Sequence, residues 1–163
     1  MDLRKVYEYA LQREREGYEF FRSNAERTSH AAAAGVFRRL AEEEQKHIEY
    51  VQALLSSLDR GGRTSVKPAE ELKAGGFFAQ RASSEALDQT IIESMVPDVN
   101  VLRTAYLIER DFAEFYEGAA AKAEGEAKEA LSSLAKWERG HERLFKGLHD
   151  KVYEEYMGMP WGG

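Results

Sequence analysis

Two octapeptides hold an acid and an imidazole in the same register. Leu40–His47 reads LAEEEQKH and Leu134–His141 reads LAKWERGH, 94 positions further on, so both fit LAxxExxH. On a helix, residues three apart share a face, and each ExxH therefore sets a carboxylate beside an imidazole. Such a pair is a two-donor chelate for a divalent ion, with no thiolate in it. A second correspondence lies upstream of each: Glu14–Phe21, EREGYEFF, matches Glu109–Tyr116, ERDFAEFY, at four of eight positions and an offset of 95. The chain reads as a duplicated helical hairpin with an insertion between its halves, the first helix corresponding to the third and the second to the fourth.

Spacing turns this repeat into a site. Glu14 and Glu44 lie equally far on either side of position 29, where the first hairpin turns, and Glu109 and Glu138 straddle the turn at 123–124. At about 1.5 Å of rise per residue, each hairpin brings its two acids to one height. All four also fall on apolar stripes: Glu14 is four after Ala10, Glu44 four after Leu40, Glu109 four after Ala105 and Glu138 four after Leu134. Glu19, Glu42, Glu43, Glu114 and Glu129 are assigned to solvated faces. Burying a single ion costs several kcal/mol unless something compensates it. No Lys or Arg stands inward at this level, so metal is the compensation expected, and desolvation with mutual repulsion should raise some of the acids' pKa values when metal is absent. Glu14, Glu44, His47, Glu109, Glu138 and His141 make six candidate ligands. Their four carboxylates match the charge of two divalent cations, and the donor set suits iron or manganese. The repeat further suggests that the two halves offer equivalent metal positions.

The elements that must carry these residues are helices almost throughout. There are three prolines, no cysteine, and abundant Ala, Glu, Leu, Lys and Arg. The periodicity predicts a helix over about 3–27, a second from a cap at Ser29 to about 58, and two more over about 99–123 and 127–156. A loop follows at "DRGGRTSVKP", and a short extra helix is expected at Ser84–Met95, halted by Pro97. The architecture expected is all-α: a four-helix bundle of two hairpins joined by a long crossover that carries the short helix, forming one domain over 1–163.

Composition narrows the function classes. The absence of cysteine excludes disulfides, iron–sulfur clusters and thiolate sites. A net charge of −6 without a basic stripe argues against a nucleic-acid partner. No apolar run is long enough for a membrane span, and MDLRKVYEYALQ lacks the apolar stretch expected of a signal peptide, so a cytoplasmic location is expected.

At Glu14, Glu44/His47, Glu109 and Glu138/His141 the sequence resembles the ferritin-like di-iron superfamily, and within it rubrerythrin-like proteins, over roughly residues 3–150. The resemblance implies a ferritin-like fold and two iron ions per chain, with manganese or zinc able to substitute. Glu44 and Glu138 would bridge the ions, Glu14 and Glu109 would be terminal, and each His would bind one ion. It implies an oxidoreductase of the oxidative-stress type that reduces peroxide or dioxygen. A rubredoxin-like domain would need four cysteines, so electrons should come from a separate donor protein. Rubrerythrins also place an extra Glu three residues after the helix-three ligand, where this chain has Phe112. A manganese catalase on the same scaffold is one alternative. Others are non-enzymatic iron oxidation and sequestration, or a metal-free helical adaptor. The 61 residues between His47 and Glu109 are long for a cage-forming ferritin, and a homodimer, whose crossover could exchange between protomers, is expected instead of a shell.

Other residues take plainer roles. Tyr18, Tyr106 and Tyr116 lie near the site level, where core packing is favoured over hydrogen bonding to the acids. His30 and His149 are expected to be solvated, and Trp137, about 100° round the helix from Glu138, to pack at the surface or an interface.

Overall fold

The computed structural model describes residues 1–28, 31–61, 92–93 and 95–160. Helix α1 (Leu3–Arg27) starts at Asp2, whose side chain accepts the Lys5 N–H at 3.3 Å. Helix α2 (Ala31–Asp59) ends before Gly61, whose φ of +86° is a left-handed stop that a Cβ would penalise. A 3-10 turn at Val96–Asp98, entered through Pro97, leads into α3 (Val99–Ala120). Helix α4 (Gly125–Gly158) completes the described order.

The α3–α4 turn departs from the expected bounds. Helix α3 stops at Ala120, because the next amides bond three residues back, Lys122 to Ala119 at 3.1 Å and Ala123 to Ala120 at 3.2 Å. Helix α4 begins at Gly125, whose φ of +56° lets the chain reverse sharply. The Ser29 cap, His30 and most of the Ser84–Met95 helix lie outside the described residues, although Ile92 and Glu93 have helical backbone.

The helices form two hairpins, α1 against α2 and α3 against α4. Their buried faces meet in two apolar clusters. One gathers Tyr7 and Ala10 of α1, Val51 and Leu54 of α2, Tyr116 of α3 and Leu131 and Leu134 of α4. The other gathers Phe21 of α1, Phe37 and Leu40 of α2, Leu102 of α3 and Phe145 and Leu148 of α4. The first cluster therefore holds the start of α1, the end of α2, the end of α3 and the start of α4. Helices α1 and α4 run one way and α2 and α3 the other, so that α2 ends at one end of the bundle and α3 begins at the other. Between hairpins, Phe21 stacks on Phe145 with centroids 5.2 Å apart, and the Thr28 hydroxyl donates to Asp98 at 2.7 Å. Among the described residues there is no strand, and no helix is long and apolar enough to cross a membrane.

Candidate metal centre

The buried stripe of α1 runs Tyr7, Ala10, Glu14, Gly17, Phe21 and Ala25, so the three- and four-residue spacing that makes the helix amphipathic also delivers an acid to the core. The other three helices do the same. Glu14, Glu44, Glu109 and Glu138 are each 0 % exposed, and His47 and His141 are buried beside them. All six residues singled out by spacing meet at one level, between the two apolar clusters.

Their distances are ordered. His47 Nδ1 lies 3.3 Å from Glu14, 3.7 Å from Glu44 Oε2 and 2.9 Å from Glu138 Oε1. His141 Nδ1 lies 3.4 Å from Glu44 Oε1, 3.5 Å from Glu109 and 3.6 Å from Glu138 Oε2. Glu44 and Glu138 thus present one oxygen to each histidine, whereas Glu14 faces only His47 and Glu109 only His141. Donor atoms of Glu44, His47, Glu138 and His141 all fall within 4.8 Å of one another, close enough to hold a metal ion. These contacts are not aligned as hydrogen bonds. Both oxygens of Glu44, Glu109 and Glu138, Glu14 Oε2 and both histidine Nδ1 atoms are buried without a hydrogen-bond partner among the described residues. A fold does not leave so many polar atoms orphaned in one place without cost, and divalent cations would satisfy them together.

The protonation pattern refines the expectation that desolvation and mutual repulsion raise some of these acids. Burial, then the neighbouring Glu138 charge, pushes Glu14 up to about 8. Burial, then Glu44 and Glu138, pushes Glu109 well above its ordinary range. Glu44 and Glu138 go the other way: burial opposes their charge, but His47 and His141 more than offset it and hold both below the usual range. Burial lowers the two histidines, and the carboxylates around them override it, keeping both well above 6.5. The histidines are the counter-cations that a search for inward Lys and Arg overlooks.

Further residues surround this centre or pack beyond it. Tyr116 is fully buried in the first apolar cluster, as expected, and its hydroxyl also donates to Glu14. Tyr18 and Tyr106 pack, partly buried, against the second apolar cluster, as expected. Glu43 is not on a solvated face: its side chain is 12 % exposed and Oε2 lies 3.9 Å from His141 Nε2. Burial would raise it, but His141 and then Lys46 hold it below its ordinary value. Trp137 is half-buried and stacks on His47 of the other hairpin, centroids 5.2 Å apart and planes 13° apart. His149 is partly shielded, stacked against Tyr153 and edge-on to Tyr106. At Gly17 an added Cβ would lie 3.3 Å from both Glu44 Oε2 and Phe112 Cε2, so the missing side chain makes room for a site carboxylate and for the ring that replaces the extra Glu.

A four-helix bundle of two hairpins that buries four carboxylates and two imidazoles at one level defines a ferritin-like carboxylate–histidine protein. The rubrerythrin family model matches residues 5–149, and the chain belongs to the rubrerythrin family. No curated protein and no solved structure matches it. Members of this family typically bind iron, and the buried Glu/His cluster is where this chain could hold metal.

Proposed function

We propose that this protein is a di-iron carboxylate oxidoreductase that reduces peroxide or dioxygen with electrons from a separate donor protein. The observation that carries the reading is the way Glu44 and Glu138 each span both histidines while Glu14 and Glu109 each face one. On this reading Glu44, Glu138, Glu14 and His47 would hold one ion, and Glu44, Glu138, Glu109 and His141 would hold the other. Two ferrous ions, when bound, would supply the electron pair that cleaves an O–O bond. One peroxide then takes two electrons and two protons to give two waters.

The chain's own residues do the rest. The apolar clusters above and below the site exclude bulk water, which strengthens every charge interaction inside it. The Tyr116 hydroxyl holds Glu14 in place, as a partner outside the ligand set commonly does. Of the two oxidants peroxide is proposed as the faster, because the family is that of rubrerythrins. A cytoplasmic location and a homodimer remain part of the proposal.

The test is metal analysis of protein purified without added metal, followed by stopped-flow oxidation of the reduced iron form. Two irons per chain and rapid peroxide-dependent oxidation, sustained by an added electron donor, are expected. Loss of iron binding, or oxidation without turnover and with mineral accumulating in a large assembly, would refute the enzyme reading.

A further inference from the structure

The duplication makes residues 43 and 137 counterparts, since both immediately precede the glutamate of an ExxH at the 94-residue offset. One is Glu43 and the other Trp137, and each packs against the histidine of the opposite hairpin. We infer that this exchange makes the two halves of the centre unequal, so that the half at His141 takes a divalent ion first and more tightly, and the half at His47 fills second. The inference rests on the metal-centre reading above.

An imidazole that offers its Nδ1 lone pair inward must carry its proton on Nε2, and an outer acceptor for that proton fixes both tautomer and ring orientation. His141 has such an acceptor, because Glu43 Oε2 stands 3.9 Å from its Nε2. Closing that gap by about 1 Å, within the reach of a glutamate rotamer, makes a charge-assisted hydrogen bond. His47 is matched instead with an indole, which offers a ring face and an N–H but no acceptor oxygen. It stands in a column of three rings, with Trp137 at 5.2 Å on one side and His141 at 5.4 Å on the other.

A second, independent difference points the same way. At the 95-residue offset of α1 and α3, Tyr116 is the counterpart of Phe21. The Tyr116 hydroxyl engages one oxygen of Glu14, the acid of the His47 half. Phe21 has no hydroxyl to offer Glu109, and both Glu109 oxygens are without a hydrogen-bond partner among the described residues. The terminal carboxylate of the His141 half is therefore free to give both oxygens to an ion, while that of the His47 half has one already committed.

Trp137 makes the order of filling measurable. Metal-free full-length protein is titrated anaerobically with Co²⁺, total occupancy being followed by cobalt absorbance and the His47 half by Trp137 fluorescence in a Trp161→Phe background. Absorbance should grow over two equivalents while fluorescence is quenched mainly by the second, with dissociation constants about 10–100-fold apart. Glu43→Gln should weaken the tighter constant by at least about 10-fold, Glu43→Asp should restore part of it, and Trp137→Glu should tighten the weaker constant. Quenching that accompanies the first equivalent, or two ions bound with one affinity, would overturn the inference and leave the metal centre standing. Failure to bind Co²⁺ at all would overturn both.

Discussion

The metal-free protein should lose stability as pH rises, and the structure gives the sign and scale. Glu14 has its pKa raised from 4.5 to about 8. Between those values the folded chain keeps a proton that the unfolded chain has released, so stability falls with pH by about 1.4 kcal/mol per unit from this group alone. Glu109 acts in the same direction above its ordinary value, and His47 and His141 do so above 6.5. Glu44 and Glu138, both held low, contribute stability that is fully present above 4.5 and is lost only in acid, so they do not oppose the trend. From about pH 5.5 to about pH 7.5, Glu14 alone removes about 3 kcal/mol, which for a chain of this size lowers Tm by roughly 6–12 °C. Bound divalent ions require the same acids ionised and reverse the slope. Thermal unfolding followed by circular dichroism, with and without chelator across this range, is the assay. Chelation should lower Tm more at the higher pH, and Glu14→Gln should flatten the metal-free slope. A metal-free Tm that is constant or rises with pH would refute the reasoning.

Three further outcomes are expected. Two-ion binding near neutral pH should release roughly four protons per chain, one each from Glu14, Glu109, His47 and His141, measurable with an indicator dye in weak buffer; fewer than two would contradict the assigned protonation. Tyr116→Phe removes the hydroxyl that donates to buried Glu14 and should cost the metal-free protein about 1–3 kcal/mol in denaturant unfolding, an unchanged midpoint showing that the bond is not made. Gly17→Ala gains about 1 kcal/mol of helix propensity but sets a methyl 3.3 Å from Glu44 and Phe112, at a crowding cost of about 1–3 kcal/mol. It should lower stability unless Phe112→Leu is added, and an additive double mutant would show that the two positions do not touch.

The position of the centre was legible because its acids obey two rules at once. Each sits on an apolar stripe, and each pair is equidistant from its own turn, so one-dimensional spacing was enough to predict a common height for Glu14, Glu44, Glu109 and Glu138. What a single helix does not reveal is its flank. Glu43 and Trp137 lie about 100° from the glutamates that follow them, a direction that is solvent on an isolated hairpin and becomes interior only when α2 meets α4. Tyr116 packs in the core as its position on the stripe requires, but the bond from its hydroxyl to Glu14 crosses the seam between hairpins and is not visible in a single helix. The turn at Gly125 shifted the bounds of α3 and α4 because one glycine with positive φ, not helix propensity, decides where α4 starts. The expected helix at Ser84–Met95 falls mainly outside the described residues.

The same six side chains explain how a bundle can bury so much ionisable chemistry. Without metal, two carboxylates (Glu44 and Glu138) face two imidazolium ions (His47 and His141), and Glu14 and Glu109 hold their protons, so the core carries no net charge near neutral pH. With two divalent ions, four carboxylates and two neutral imidazoles again balance. Four protons and two metal ions are therefore alternative occupants of one neutral cavity, and neither state has to bear an uncompensated buried charge. The compensation differs in its hold. Proton by proton, the metal-free core can be unbalanced by raising the pH, whereas the ions bind more firmly as pH rises. The bundle can thus fold before it meets metal, with its ligands already converged, and pass to the loaded state by exchanging protons without repacking its helices.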